Sequence, residues 1–295
     1  MQDGTLKRLS AFTDVATGGN PAGVWIGDEL PHPETMLRIA GEVGYSETVF
    51  LAPRTGPDRL ARYYSPEAEV SFCGHATIAA GIVLGRGSGE GTYRLSTAVG
   101  EVPVSVSRHG ETLQASLRSV APKHEAVPAQ LLDSALATLG WLSSELDASI
   151  PPAKAYAGAW HLVLATANKA RLNDLEYDFQ ALKTLMLREN LTTLQLVWRE
   201  RVDLFHARNP FPVGGVVEDP ATGAAAAALG GYLRDAGLVD TPFRFVIRQG
   251  EAMGRPSVLE VDVPERGGIL VTGSAVDINA REVVDSGERQ ATVKQ

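Results

Sequence analysis

The stretch from Val217 to Leu233 constrains the fold of this chain more than any other. Asp219, followed by Pro220 and small apolar residues, reads as a helix start, with Asp219 as N-cap and Pro220 at the first helical position. Ala221, Ala224 to Leu229, Tyr232 and Leu233 then leave the helix no polar face before Arg234 and Asp235. A helix that is apolar all round has to be buried all round, so the rest of the chain must supply a wrapping for it.

A second segment has the same character. Gly74-His75-Ala76-Thr77-Ile78-Ala79-Ala80-Gly81-Ile82-Val83-Leu84-Gly85 matches the first at Ala76/Ala221, Thr77/Thr222, Ala79/Ala224, Ala80/Ala225, Leu84/Leu229 and Gly85/Gly230, at a constant separation close to half the chain. Alanine matches carry little weight in an alanine-rich chain, so the threonine, leucine and glycine matches carry the comparison. The pattern predicts two related halves, each built around one apolar helix. First-turn amides lack intrahelical partners and lie at the positive end of the helix dipole. Two such tips facing one cleft would hold a carboxylate or a developing enolate without a metal.

Around these helices the pattern is of short strands. Leu9 to Phe12 and Val24 to Ile26 flank a turn-forming loop, Gly18 to Gly23, and Pro33 to Val43 has helical spacing with Gly44 placed to end it. Strands are expected at Tyr45 to Leu51, Arg62 to Pro66, Glu69 to Cys73, Tyr93 to Leu95, Val102 to Val106 and Leu113 to Leu117. A change of character at Ala121-Pro122-Lys123-His124 sets domains at 1–122 and 123–274, with 275–295 packing back on the first and the tail after Asp285 loose. The second half repeats the grammar. It has helices at Ala129 to Leu139 and Phe179 to Arg188, and strands at Lys154 to Tyr156, His161 to Ala165, Thr193 to Trp198, Val202 to Ala207, Phe243 to Arg248, Ser257 to Val263 and Ile269 to Gly273. Gly85 to Gly91 follows a helix rather than a strand, so it reads as a connection and not a phosphate cradle.

A net charge of −8 with no basic run argues against nucleic acid as partner. The N-terminus lacks a secretory pattern, and no apolar run approaches the ~20 residues that span a bilayer, so a cytoplasmic protein without membrane contact is expected. One cysteine, Cys73, excludes a disulfide framework and a cysteine-rich zinc site, and the six histidines show no metal-ligand spacing. Side chains two apart on a strand or helix start rarely face each other, so Cys73 and His75 are not expected to act as a nucleophilic pair; Cys73 reads as a small buried residue. Arg255 and Ser257, flanking Pro256, read either as carboxylate ligands or as turn and edge packing.

The segments Gly19-Asn20-Pro21-Ala22-Gly23-Val24, Ser46-Glu47-Thr48-Val49-Phe50, Phe72-Cys73-Gly74-His75-Ala76-Thr77, Glu218-Asp219-Pro220-Ala221-Thr222-Gly223 and Gly250-Glu251-Ala252-Met253-Gly254-Arg255-Pro256-Ser257 spread over most of the chain. In them the chain resembles the PhzF-like family, relatives of the phenazine-biosynthesis isomerase with the fold of diaminopimelate epimerase. The resemblance implies an α+β fold of two similar domains, each a curled, mostly antiparallel sheet around a central helix, with an active site between them. A homodimer and no cofactor are also implied. It puts the acid/base carboxylate on Glu47, a cleft histidine on His75 and a cleft aspartate on Asp219. The family's serine falls on Ala224, which removes one hydroxyl from the implied site. The paired cysteines of diaminopimelate epimerase have no counterpart in a chain with a single cysteine.

To serve as base and then acid, Glu47 needs an enclosed apolar setting that favours its protonated form, which Tyr45, Val49 and Phe50 are placed to help provide. Without the resemblance Glu47 reads as a solvated charge, His75 as a helix-start residue satisfied by backbone, and Asp219 as a plain N-cap. The combined expectation is an isomerase moving a proton on a small carboxylate. The substrate's charge is held by the amides of Gly74 to Ala76 and of Ala221 to Gly223, with Ala224 just behind. Racemisation or dehydration at the same site remains open, as does a member that binds a metabolite or partner without catalysis.

Overall fold

The computed structural model describes residues 4–278. The first three residues and the expected loose tail after Asp285 lie outside that range. The chain divides into one compact unit of Met1–Leu117 and Gly273–Gln295 and another of Arg118–Thr272.

The first unit runs β1 (Gly4–Ala11), β2 (Asn20–Gly27), α1 (Pro33–Val43), β3 (Glu47–Pro53), β4 (Arg59–Tyr64), β5 (Glu69–Val70), α2 (Gly74–Ser88), β6 (Gly91–Thr97), β7 (Gly100–His109) and β8 (Thr112–Arg118). The second follows with β9 (Lys123–Ala126), α3 (Ala129–Leu139), β10 (Ala153–Tyr156), β11 (Trp160–Ala165), α4 (Lys169–Asn173), α5 (Phe179–Arg188), β12 (Thr193–Arg201), β13 (Leu204–Arg208), α6 (Gly223–Asp235), β14 (Phe243–Gln249), β15 (Ser257–Val263) and β16 (Leu270–Gly273). Strand β17 (Ala275–Asp277) returns to the first unit and pairs with β1.

The fold is α+β, and the two units share one strand plan. In the first, β17, β1, β2, β3, β4, β6, β7 and β8 lie side by side, with parallel ladders at β2–β3 and β4–β6 and antiparallel ones elsewhere. In the second, β9 to β16 lie in sequence order, with parallel ladders at β11–β12 and β13–β14. A parallel pair needs a crossover, and the units place theirs alike. In each, one crossover carries outer helices (α1; α4 and α5) and the other carries the apolar helix (α2; α6).

Each sheet curls around its apolar helix, which is buried from His75 to Gly85 in α2 and from Ala225 to Leu233 in α6. The outer helices cover the opposite sheet faces. Met36 and Ala40 of α1 pack with Trp25, Phe50 and Tyr64. Leu131, Leu136, Leu182 and Leu185 of α3 and α5 pack with Leu162, Leu164, Leu194 and Leu196. Small residues let the inner helices approach their sheets. A Cβ on Gly81 would lie 2.7 Å from Val104 and 2.9 Å from Ala115, and one on Gly230 would lie 3.1 to 3.2 Å from Val263, Ile269 and Val261.

Five expectations need correction. Asp219 is not an N-cap: α6 begins at Gly223, preceded by Thr222. Thr77 lies inside α2 whereas Thr222 precedes α6, so the matched threonines hold different helical positions; alanine-rich segments align in several registers. The segment Glu69 to Cys73 is a strand only over Glu69–Val70, and β2 starts at Asn20, inside the expected loop. Gly85 to Ser88 is the last turn of α2 rather than a connection. Among the described residues, no helix is long and apolar enough to cross a membrane.

Candidate functional site

In the first unit, the entrance to α2 meets the start of β3. Cys73 precedes the helix in an extended conformation, φ −144° and ψ 118°, and His75 lies in its first turn. This switch from extended to helical backbone swings the two side chains to the same side. The Cys73 Sγ lies 3.3 Å from His75 Nδ1 and 3.8 Å from Nε2. The expectation that residues two apart would not face each other is therefore wrong here, because it assumed one regular element rather than the junction of two.

Glu47, the first residue of β3, completes the group. Its Oε2 lies 3.5 Å from the Cys73 thiol, which donates to it, and 3.5 Å from His75 Nε2. Ser46 Oγ lies 3.4 Å from the same imidazole nitrogen. The Glu47 side chain is 21% exposed and that of His75 8%, so the carboxylate is half-sheltered yet reachable. Val49 and Phe50 behind it are fully buried. Beside this group, a Cβ added to Gly74 would meet nothing within 4 Å, so the first turn of α2 borders open space. Ala76 is fully buried and faces the core.

A hydrogen-bond chain fixes this entrance from below. Thr77 Oγ1 donates to the Cys73 carbonyl at 2.6 Å, and Tyr63 Oη lies 2.8 Å from Thr77 Oγ1. Burial pushes the Tyr63 phenol well above its ordinary range, which keeps it a neutral hydrogen-bonding group. The support by Tyr63 and Thr77 was not foreseen. A tyrosine on a strand that pairs with the glutamate's strand is its only sequence signal.

The α6 entrance in the second unit is built differently. Thr222 Oγ1 donates to Asp219 Oδ2 at 2.6 Å. Gln249 Nε2 donates to the Asp219 carbonyl at 2.8 Å and lies 3.0 Å from Thr222 Oγ1, while its Oε1 accepts the Thr222 amide at 3.3 Å. This side-chain amide satisfies groups that a capping carboxylate would otherwise serve, and so the helix starts later than the Asp-Pro pair suggests. Immediately before Asp219, Glu218 is buried and clamped by Arg208, with Nη2 to Oε2 at 2.6 Å. Gly223 and Ala224 are half-buried at the start of α6.

Arg255 and Ser257 belong to the turn after β14. Arg255 N–H donates to the Gly250 carbonyl, and the buried Ser257 donates its hydroxyl to the Arg255 carbonyl at 3.0 Å. The serine hydroxyl thus closes the turn. Gly250 has φ +74°, and a Cβ there would fall 2.3 Å from the Arg255 carbonyl oxygen, so only glycine suits this position.

Comparison with known proteins identifies the family and the fold. A trans-2,3-dihydro-3-hydroxyanthranilate isomerase of Pseudomonas fluorescens is 33% identical over 258 residues, covering 85% of this chain and 87% of that protein. An uncharacterized isomerase of Deinococcus radiodurans is 32% identical over 269 residues, covering 88% and 86%. In fold, the chain is similar to a crystal structure of a Bacillus anthracis phenazine biosynthesis protein of the PhzF family, with a TM-score of 0.83 at 22% identity over 94% of this chain and 98% of that one. The family model described as phenazine biosynthesis-like protein matches residues 9–281, nearly the whole sequence. The chain therefore belongs to the phenazine biosynthesis-like protein family.

Proposed function

We propose that this protein is a cofactor-independent isomerase that moves a proton on a small, unsaturated carboxylate, with Glu47 as both acid and base. The observation that carries the reading is the convergence of the Cys73 thiol and the His75 imidazole on one oxygen of a half-sheltered glutamate, beside the open first turn of α2. The isomerase names of the relatives support the reaction class, and the name of the Pseudomonas fluorescens relative suggests a cyclic carboxylate bearing a polar substituent.

In this mechanism the first-turn amides of α2 hold the substrate's negative charge. Glu47 takes a proton from an activated carbon, breaking the C–H bond. The electron pair moves into the conjugated system, where the helix end stabilises the developing anion; such fixed dipoles often supply the largest single contribution to catalysis. Glu47 then returns the proton to a different carbon. The Cys73 thiol keeps one carboxylate oxygen oriented, and His75 positions the substrate or carries the proton onward. Asp219 is assigned a substrate-holding role, with Ala224 giving a substrate preference different from that of family members with serine there. A homodimer belongs to the same reading.

The test is a thermal-shift screen of carboxylates, followed by NMR in deuterated water on each hit. Isomerisation incorporates deuterium and conserves the skeleton, racemisation inverts one centre, and dehydration loses water. Proton exchange undiminished in Glu47→Gln would remove Glu47 from the mechanism, and hits that bind without exchanging would identify a binding protein instead.

A further inference from the structure

The Glu47, Cys73 and His75 cluster has a second chemical competence. One carboxylate oxygen, one thiol and one imidazole nitrogen are the three donor types zinc prefers, and they converge from a strand start and a helix start. Taking Zn–S as about 2.3 Å and Zn–N and Zn–O as about 2.0–2.2 Å, the edges of a tetrahedral site are roughly 3.4–3.6 Å long. The corresponding separations here are 3.5 Å for Cys73 Sγ to Glu47 Oε2, 3.5 Å for His75 Nε2 to Glu47 Oε2 and 3.8 Å for Cys73 Sγ to His75 Nε2. The three atoms thus form a nearly equilateral triangle of the size a tetrahedral ion requires, and the three residues can each offer one ligand atom within 4.8 Å of the others. Shared hydrogen bonds between oxygen and nitrogen are ordinarily shorter than these spacings.

We propose that these three side chains form a binding site for a thiophilic divalent cation, zinc above all, and that the ion competes with proton transfer. The open space at Gly74 leaves room for a water as fourth ligand. A cation beside a helix N-terminus is disfavoured by the dipole, but a thiolate and a carboxylate bring two negative charges, so the loaded site is neutral. Binding forms the metal–sulfur bond as the Cys73 S–H proton leaves to solvent, because a coordinating thiol is deprotonated. The Ser46 hydroxyl, which shares His75 Nε2, gives way. Competition with turnover rests on the role of Glu47 proposed above; binding itself does not.

The experiment is titration of the full, metal-free chain with cobalt(II), which reports tetrahedral coordination by strong visible bands and thiolate ligation by near-ultraviolet charge transfer, with zinc displacement measured calorimetrically. One equivalent is expected to bind. Charge transfer is expected to vanish in Cys73→Ser, and affinity to fall at least about tenfold in His75→Ala and Glu47→Gln, with Ser46→Ala binding as well as the native chain. Circular dichroism confirms that each variant is folded. Absence of saturable binding would overturn the proposal. So would binding that survives Cys73→Ser but is lost in Glu200→Gln, because it would place the ion at His206, whose two nitrogens contact Glu200 and Glu251. Either result leaves the isomerase reading intact, since that reading is tested without metal. Conversely, native protein that exchanges no proton would sink that reading and leave the metal titration standing.

Discussion

The two units follow one strand plan but use the same positions for opposite purposes. Glu47 opens β3 opposite Ala22 of β2, and Thr193 opens β12 opposite His161 of β11, so the two residues occupy equivalent places in their sheets. Glu47 is half-sheltered and touched by a thiol and an imidazole, whereas Thr193 is buried in a chain linking His161 Nδ1 to Asn209 Oδ1. The second unit has its own carboxylate near its apolar helix, Glu218, but pairs it with Arg208 and buries it. The same scaffold occurs twice. One unit leaves a carboxylate within reach of solvent at this place, and the other fills it with a buried hydrogen-bond chain.

The largest effect that would break this contrast is on turnover. Glu47→Gln is expected to lower proton exchange about 10²–10⁴-fold while changing stability by less than about 0.5 kcal/mol, read by NMR exchange and urea unfolding. Next, Arg208→Met strands the buried Glu218 charge and is expected to cost about 3–5 kcal/mol in the same unfolding assay. A cost under 1 kcal/mol would show that Glu218 is no more structural than Glu47.

The third effect concerns pH. Burial pushes the His161 imidazole down to about 3 from its usual 6.5. Between those values the unfolded chain binds a proton that the folded chain refuses, so stability falls as pH falls below 6.5. The slope approaches about 1.4 kcal/mol per pH unit. The His161→Gln variant is expected to show a flatter profile, and an identical slope would reject this origin. The smallest effect compares the inner helices. Gly81→Ala drives a methyl to 2.7 Å from Val104 and is expected to cost about 1–3 kcal/mol; Gly230→Ala, with contacts of 3.1 to 3.2 Å, is expected to cost less. Equal costs would mean that the two sheets yield alike.

Long amphipathic segments were legible in the sequence. Helices α1, α3 and α5 have the bounds their apolar spacing predicts, and Gly44 ends α1 in the left-handed conformation expected of it, with φ 70°. Short polar elements were not legible. Lys-His-Glu-Ala in β9 has no apolar alternation and becomes a strand through pairing with β10; α4 and β17 are similarly brief and take their form from neighbours. At the site, motif residues pointed to Glu47 and His75, whose side chains the fold brings together. The Cys73–His75 contact was hidden because it depends on the bend between extended and helical backbone. The lock on Asp219 was hidden because Gln249 arrives from far along the chain.

The return of β17 governs the order in which this protein can mature on the ribosome. Leu9 to Ala11 pair with residues 275–277, the Phe12 amide donates to the Ser274 carbonyl, and Arg86 at the end of α2 reaches Asp277. The unit made first therefore waits, with one flank of its sheet unpartnered, until the whole second unit and then β17 have been made. The unit made second receives its strands, β9 to β16, in one uninterrupted run, so the nascent half that carries the glutamate is the one more dependent on protection from aggregation during synthesis.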